Sequence, residues 1–523
     1  MRVWRRAALS KMLSGGAASL SVAPPLAPDG AAPTMEERLL ALIHVAPPPT
    51  PPTRAEMVEF MRPRLECLGL LRHGTVDAAL APVVIHVAGT KGKGSTCALT
   101  ESVLRAAGLR TGLFTSPHLV AVNERVRLQG RPVDDPTLRR HFEEVYTALA
   151  QRDLLPGYFC FLTLLGFHIM AAQALDVCVV EVGLGGRLDY TNVLEQPKAT
   201  AVTLLDMDHM EFLGNTIELI AGEKAGIFKR GAPAVSSSKQ EPAALAVLRA
   251  RALEEGCSLG VAPPLPEGRE LGISGDHQRD NAAIALALCD AAFPGRISRA
   301  AQDAGLRDCR WPGRCQVVEA GAVTYFLDGA HTYKSMQAAL SWFVGEVRRR
   351  RAAAPPGHHE ANLLLFNAMH PRNPLNLLEP VRELGCAGGA PAPCAPGAGG
   401  AAGAGGAAEQ VVFDAVAITP GLFAKPSRVR MLSAAELIAE HEGRHAEPPQ
   451  TPETWQETQG AVWRYLMGPH ARTAVVTCRV LSEAAELVEK YCVAATPVRV
   501  NVLVTGSLLL VGDFMKLSKI PVS

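Results

Sequence analysis

Along most of the chain, short apolar runs alternate with stretches of helical periodicity. The runs 83-VVIHVAG-89, 177-VCVVEVG-183 and 199-ATAVTLLD-206 are bounded by glycine or acids. Their length and β-branched content predict strands of a parallel sheet buried on both faces. Between them lie helical patterns such as 96-TCALTESVLRAAG-108, closed by a glycine suited to a C-cap. A second alternating set begins near Trp311. Strands are predicted at 324-TYFLDG-329, 361-ANLLLF-366, 411-VVFDAVAI-418, 473-TAVVT-477 and 500-VNVLVTG-506, with a helix over 334-KSMQAALSWFVGEV-347. Strand–helix alternation argues open α/β sheets. Two α/β domains are therefore expected, over residues 35–310 and 311–523, joined around 308–314. A length of 523 residues agrees, being too great for one ordinary core.

Three stretches fall outside this alternation. A proline-rich linker, 46-APPPTPPT-53, precedes the first strand. The Gly/Ala/Pro segment over residues 386–409 cannot bury enough surface to offset its ordering entropy and reads as a flexible insertion. Its glycine-rich runs have no strand leading into them. Residues 1–28 carry Arg2, Arg5, Arg6, Lys11 and several serines, with no acid before Asp29. That is the composition of an organelle transit peptide, so residues 1–34 read as a mitochondrial leader. Initiation at Met35 would give a second, cytoplasmic form.

Composition narrows the partners. A hydrophobic content of 48% with 20% charged residues describes a soluble globular chain, and the formal charge of +1 gives no broad field for nucleic acid or anionic membrane. No apolar stretch is long enough to span a bilayer. The longest, 162-LTLLGFHIMAAQALDVCVV-180, is broken by His168, Gln173 and Asp176, and reads as a buried helix running into a strand. The twelve cysteines form no C-x-x-C pair, which suggests buried reduced thiols rather than zinc ligands or disulfides.

The chemistry begins at 83-VVIHVAGTKGKGSTCALTESVL-104, a buried strand, a glycine-rich turn and a helix. Backbone N–H groups at such a turn face an anion, and glycines let the backbone approach it. Lys93 follows Gly92 as a phosphate lysine should. The G-x-x-x-x-G-K-[ST] pattern nevertheless fails twice, at Val87 and at Gly94. Three further polar residues stand where open sheets place ligands, beyond carboxyl ends of strands: Ser116, Glu181 and His209. A lone histidine there is usually structural. Together, beside a phosphate loop, the three suit a hard Mg²⁺ ion. Downstream, Asn215 and Glu218 have capping-box spacing at the head of a helix, and Lys224 within it reads as a solvated lysine.

The blocks 89-GTKGKGST-96, 113-LFTSPHLVAVNERVRL-128, 181-EVGLGGRLDYTN-192, 208-DHMEFLGNT-216, 222-GEKAGIFK-229, 277-HQRDNAA-283, 312-PGR-314 and 328-DGAH-331 closely resemble the folylpolyglutamate synthase family of the Mur-ligase-like superfamily. The resemblance covers roughly residues 60 to 512 and explains the failed pattern, since this superfamily uses the shorter G-T-x-G-K-G-S form. It implies an N-terminal P-loop ATPase domain with a mostly parallel sheet and a smaller C-terminal Rossmann-like α/β domain. Gly92, Lys93, Gly94 and Ser95 would then hold ATP phosphates, and Ser116, Glu181 and His209 would ligate Mg²⁺. Lys224 matches a lysine that is carboxylated in relatives to support a second Mg²⁺, contrary to the solvated reading. Asn281 would contact adenine, Arg314 and Asp328 would reach the nucleotide from the second domain, and His331 would lie near the reacting carboxylate or incoming glutamate.

The implied reaction activates the γ-carboxyl of folate glutamate as an acyl phosphate, which free L-glutamate attacks. Tetrahydrofolate or folylpolyglutamate, L-glutamate and ATP are the expected partners of a monomer, with room for a monovalent cation such as K⁺. Dihydrofolate synthase, alone or on a bifunctional chain, uses the same core motifs. The run 158-YFCFLTLLGF-167 looks more like the polyglutamylating enzymes. A non-catalytic nucleotide module would have little need of Lys93, Glu181, His209, Lys224, Arg314 and His331 together. Two places depart from the family: 366-FNAMHPRNP-374, where relatives carry glycine and acids, and Leu509, where a polar or aromatic residue is usual.

Overall fold

The computed structural model describes residues 33–45, 53–353, 359–386, 413–421, 430–447, 453–468, 473–493 and 498–522. Most of the expected leader, the proline-rich linker up to residue 52 and nearly all of the Gly/Ala/Pro segment lie outside the described residues. Eight strands form the first sheet: β1 (Val83–Ala88), β2 (Thr111–Phe114), β3 (Val126–Leu128), β4 (Arg131–Pro132), β5 (Val177–Glu181), β6 (Ala199–Val202), β7 (Ala234–Ser236) and β8 (Leu259–Val261). Their order is β4-β3-β2-β5-β1-β6-β7-β8, parallel except at the β2–β3 and β3–β4 pairs. Six more form the second: β9 (Gln316–Ala320), β10 (Val323–Leu327), β11 (His359–Phe366), β12 (Ala415–Ile418), β13 (Ala474–Thr477) and β14 (Val498–Thr505). The order is β13-β12-β11-β14-β10-β9, with only β9 antiparallel. The expected α/β class, with two mostly parallel sheets, is what the chain adopts.

Strand alternation builds the layers. In β1 and β5, Val84, Cys178 and Val180 pack on one face with Phe142, Phe161 and Leu165, from helices α2 (Asp135–Ala150) and α3 (Tyr158–Ala171). Ile85, Val87, Val177 and Val179 pack on the other with Leu99 and Val103 of α1 (Lys93–Ala106) and Ile284 and Leu288 of α5 (His277–Ala292). The second sheet repeats the scheme. Phe326, Leu364 and Phe366 meet Phe343 of α6 (Tyr333–Ala353) on one side, while Leu363, Leu365 and Val502 face Phe514 on the other. The ten cysteines whose side chains are described are free, and none of the described helices is long and apolar enough to cross a membrane.

Two sequence expectations change. The run over residues 199–206 is strand only to Val202, because the Leu204 carbonyl turns to accept Thr90 N and Lys91 N at 3.1 and 2.9 Å. The helix carrying Lys224, α4 (Ile217–Ala225), is capped by Thr216 rather than Asn215; the Thr216 hydroxyl accepts Leu219 N. Glu218 therefore falls one position short of the capping-box site.

Candidate active site

Four neighbouring strands deliver the site. In the order β2-β5-β1-β6, their carboxyl ends lead to Ser116, Glu181, the glycine loop and the Asp206–His209 turn. Sheet topology thus makes neighbours of residues scattered from Gly89 to His209. The loop is closely threaded. Gly92, at φ 84°, begins α1, and a Cβ there would lie 2.1 Å from Asn281 Oδ1. A Cβ on Gly89 would meet Thr203 Oγ1 at 1.9 Å, so a side chain at either position is strained and displaces its neighbour. The first N–H groups of a helix lack intrahelical partners, and here they belong to Lys93, Gly94 and Ser95. They form an anion cradle at the positive helix end.

Two lysines converge on one carbonyl of this loop. Lys93 Nζ donates to Gly89 O at 3.1 Å, and Lys224 Nζ donates to the same oxygen at 2.9 Å. Lys224 is buried, which corrects the solvated reading. The cause lies in the 183-GLGGRLD-189 loop. Arg187 N donates to Glu223 O at 2.8 Å and its guanidinium pairs with Glu223 at 2.7 Å, so Glu223 faces outward and Lys224 inward. Desolvation, reinforced by Lys93 and Lys91, lowers the Lys224 pKa from 10.5 to about 7.

Glu181 is a buried carboxylate that accepts Ser116 N at 2.9 Å. Desolvation raises its pKa, opposed chiefly by the charge of Lys93 and more weakly by Arg314 and Arg125. His209, in the left-handed region at φ 52°, enters this field through Asp208 and Lys93 rather than through a direct bond to Ser116 or Glu181. Burial lowers its pKa, so the ring is neutral at physiological pH.

The second sheet meets the first at this edge. Lys91 Nζ lies 3.2 Å from Asp208 Oδ2, His331 Nε2 lies 3.8 Å from the same oxygen, and Arg372 Nη1 lies 3.6 Å from Asp208 Oδ1. Although burial opposes it, Lys91 and Arg372 hold the Asp208 carboxyl well below the usual carboxylate range. Lys334 reaches Asp206 at 3.3 Å. His331 Nδ1 is 2.7 Å from Gly329 O, a contact that assigns its proton to Nδ1 and leaves an Nε2 lone pair facing the cleft. Desolvation, then Lys91 and Arg372, keep this imidazole neutral.

The remaining predicted residues sit nearby in distinct ways. Asn281 packs against Gly92 and donates to Gln278 Oε1 at 2.8 Å. Asp328 accepts Cys315 N and Ala330 N at 2.8 and 2.9 Å, fixing the turn that presents Arg314 to the first sheet. Sequence reasoning did not single out Asp208 or Arg372. Asp208 had a signal, being adjacent to His209 in the same post-strand turn. Arg372 lies in the loop that departs from the family, yet it donates to His331 O at 2.9 Å. Only the meeting of the two sheets reveals its position.

The edge therefore gathers Lys91, Lys93, Lys224, Arg314 and Arg372 around Glu181, Asp206 and Asp208, a surface suited to a polyphosphate with its counter-cation.

No family model matches the chain. It is 42% identical to mitochondrial folylpolyglutamate synthase of Homo sapiens over 332 residues, 57% of this chain and 56% of that protein. The chain thus spans a little over half the length of its mammalian relatives. Folylpolyglutamate synthase of Arabidopsis thaliana is 35% identical over 489 residues, 83% of this chain and 80% of the relative. Among solved structures, Mycobacterium tuberculosis folylpolyglutamate synthase complexed with ADP superposes with a TM-score of 0.68 at 22% identity, covering 93% of this chain and 98% of that one. E. coli FolC in complex with DHPP and ADP gives 0.65 at 24% identity, with the same coverages. These two share the fold. The Arabidopsis alignment, which runs through most of both proteins, settles the relationship: the chain belongs to the folylpolyglutamate synthase family.

Proposed function

We propose that the chain is an ATP-dependent ligase that adds L-glutamate to the γ-carboxyl of tetrahydrofolate and its polyglutamates, releasing ADP and phosphate. The observation that carries this reading is the convergence of Lys93 and a buried Lys224 on the Gly89 carbonyl of the phosphate loop. A simple nucleotide binder has no use for the second, costly lysine.

Gly92, Lys93, Gly94 and Ser95 hold the phosphates, and Lys93 neutralises charge on the γ-phosphoryl group as the folate carboxylate takes it. Asn281, Arg314 and Asp328 bound the nucleotide from α5 and the second sheet. Lys91 and Arg372 face the cleft where the acyl phosphate meets the amine, placed to stabilise the tetrahedral oxyanion. The neutral His331 offers Nε2 as an acceptor that orients the incoming amine. Closure of the two sheets through the Asp208 cluster keeps water from the acyl phosphate.

The donor set at Glu181 and Ser116 fits a divalent cation, since Glu181 is a desolvated carboxylate that the backbone of Ser116, itself a hydroxyl donor, holds at 2.9 Å; Ser116, Glu181 and His209 would hold Mg²⁺. When bound, Mg²⁺ supplies charge neutralisation on the phosphate oxygens. Lys224, whose amine is lowered to a pKa of about 7 and so is partly deprotonated near neutral pH, is suited to carboxylation, and its carbamate would support a second Mg²⁺. A neighbour described as bifunctional folylpolyglutamate synthase/dihydrofolate synthase was solved with Mn, AMPPNP and L-glutamate bound, which supports the nucleotide, metal and amine assignments. A K⁺ ion and a monomeric state belong to the same proposal. So does the division into a leader (1–34), an ATP-binding domain (35–310) and a C-terminal domain (311–523) with its insertion at 386–409.

The mitochondrial names of the mammalian relatives support import directed by the basic leader. The catalytic test supplies tetrahydrofolate or dihydropteroate separately with ATP and glutamate and follows ADP. Release with tetrahydrofolate that requires glutamate supports the reading. Turnover confined to dihydropteroate makes the chain a dihydrofolate synthase instead.

A further inference from the structure

One feature of the apolar run over residues 162–180 has no part in ligation. His168 interrupts α3 among Phe167, Ile169 and Met170, all fully buried. It faces His141, itself buried on the apolar side of α2 between Leu138, Phe142 and Val145. The two Nδ1 atoms are 2.9 Å apart. Glu144, one turn after His141, brings Oε2 to 3.4 Å from His141 Nδ1 and 4.0 Å from His168 Nδ1. Among the described residues, this is the one group of three His, Cys, Asp or Glu side chains whose ligand atoms lie within 4.8 Å of one another.

We propose that His141, Glu144 and His168 bind a zinc-class divalent transition ion that ties α2 to α3. Two donors held about 2.0–2.1 Å from one centre at a tetrahedral angle stand roughly 3.3 Å apart. The 2.9 and 3.4 Å separations bracket that value. The 4.0 Å separation closes by rotation of Glu144, whose side chain is half-exposed. Two imidazoles and one carboxylate leave a fourth position for water. Imidazole donors favour Zn²⁺, Co²⁺ or Cu²⁺ over Mg²⁺, which prefers oxygen. This separates the site from the proposed Mg²⁺ centre in ligand chemistry.

Arg140 adds a competing interaction. Its Nη2 lies 3.2 Å from His141 Nε2, so that nitrogen accepts and the proton of His141 resides on Nδ1. Coordination through Nδ1 moves the proton to Nε2, where it would face an Arg140 donor. Arg140, exposed over 61% of its side chain, must then turn to solvent. Burial favours neutral rings in both histidines, the form that binds metal. The tie has a structural consequence near the candidate active site. The first turn of α3 places Phe159 so close to Gly183, two residues beyond Glu181, that a Cβ there would lie 2.1 Å from Phe159 Cζ.

The test titrates Zn²⁺ into the full, metal-stripped chain in excess Mg²⁺ by calorimetry, with Co²⁺ absorption as a second probe. One site is expected per chain, weakened at least tenfold by His168→Gln and by Glu144→Gln and tightened several-fold by Arg140→Gln. Zn²⁺ should raise the thermal midpoint of the wild type but not of Glu144→Gln, a surface change that leaves the fold intact if His168→Gln does not. Absence of Zn²⁺ binding, or an isotherm that both ligand variants leave unchanged, overturns the proposal.

Discussion

Replacing Lys224 by methionine should stabilise the chain while abolishing turnover. The substitution keeps the length of the side chain and deletes its charge. Burial lowers the amine from 10.5 to about 7, and at about 1.4 kcal/mol per pH unit the ammonium form carries a penalty of about 5 kcal/mol in the folded state. The sign follows from linkage. Below pH 7 the lysine is protonated in both folded and unfolded chains, and the penalty is fully present. Between about pH 7 and 10.5 only the unfolded chain keeps the proton, so the penalty shrinks and wild-type stability rises; above 10.5 it is gone. The methionine variant forfeits the 2.9 Å bond to Gly89 O, worth about 1.5–3 kcal/mol for a charged donor, although Lys93 still serves that oxygen. A net gain of about 2–3 kcal/mol is expected at pH 6, dwindling by pH 10. Urea unfolding midpoints of both proteins at several pH values measure it. A variant less stable than wild type at pH 6, or a difference that does not change with pH, refutes the reasoning. Turnover should fall at least ~1000-fold, and bicarbonate should activate CO₂-depleted wild type; near-normal activity of the variant would defeat the carbamate assignment.

Gly92→Ala forces a side chain into the left-handed region and onto Asn281, so ATP KM should rise more than ~10-fold with about 1–3 kcal/mol of lost stability; an unchanged KM would mean the loop does not hold phosphate. Glu181→Gln should cut turnover by at least ~100-fold and remove Mg²⁺-dependent stabilisation by ADP, yet leave the metal-free melting point equal or higher because burial already disfavours the carboxylate; a melting point lowered by several degrees without metal would argue for a purely structural role. Arg372→Ala breaks the contacts to His331 O and Asp208, and glutamate KM should increase ~10-fold or more while ATP KM holds; equal changes in both would place Arg372 elsewhere in the reaction.

The sheets were legible because buried parallel strands announce themselves as short apolar runs. The runs at 83–89 and 177–183 become β1 and β5, side by side. Their carboxyl ends carry the loop and Glu181, so much of the site could be read from strand ends alone. Lys224 could not. An amphipathic pattern assigns a helical lysine to solvent, and its burial depends on the Arg187–Glu223 pair contributed by a distant loop. The cap at Thr216 was missed because Asn215 and Glu218 satisfied a spacing rule one residue too early. The pairing of Asp208 with Arg372 was hidden for a different reason. Their partnership exists only where two sheets meet, and no local pattern in 366-FNAMHPRNP-374 encodes it.

Mass spectrometry of the products formed from tetrahydrofolate, L-glutamate and MgATP tests whether this site joins glutamate to a folate γ-carboxyl at the expense of ATP. Folates lengthened by one or more γ-linked glutamates are expected, with one ADP and one phosphate released for each. ADP formed without lengthened folate, or lengthening that proceeds without ATP, would contradict that reaction.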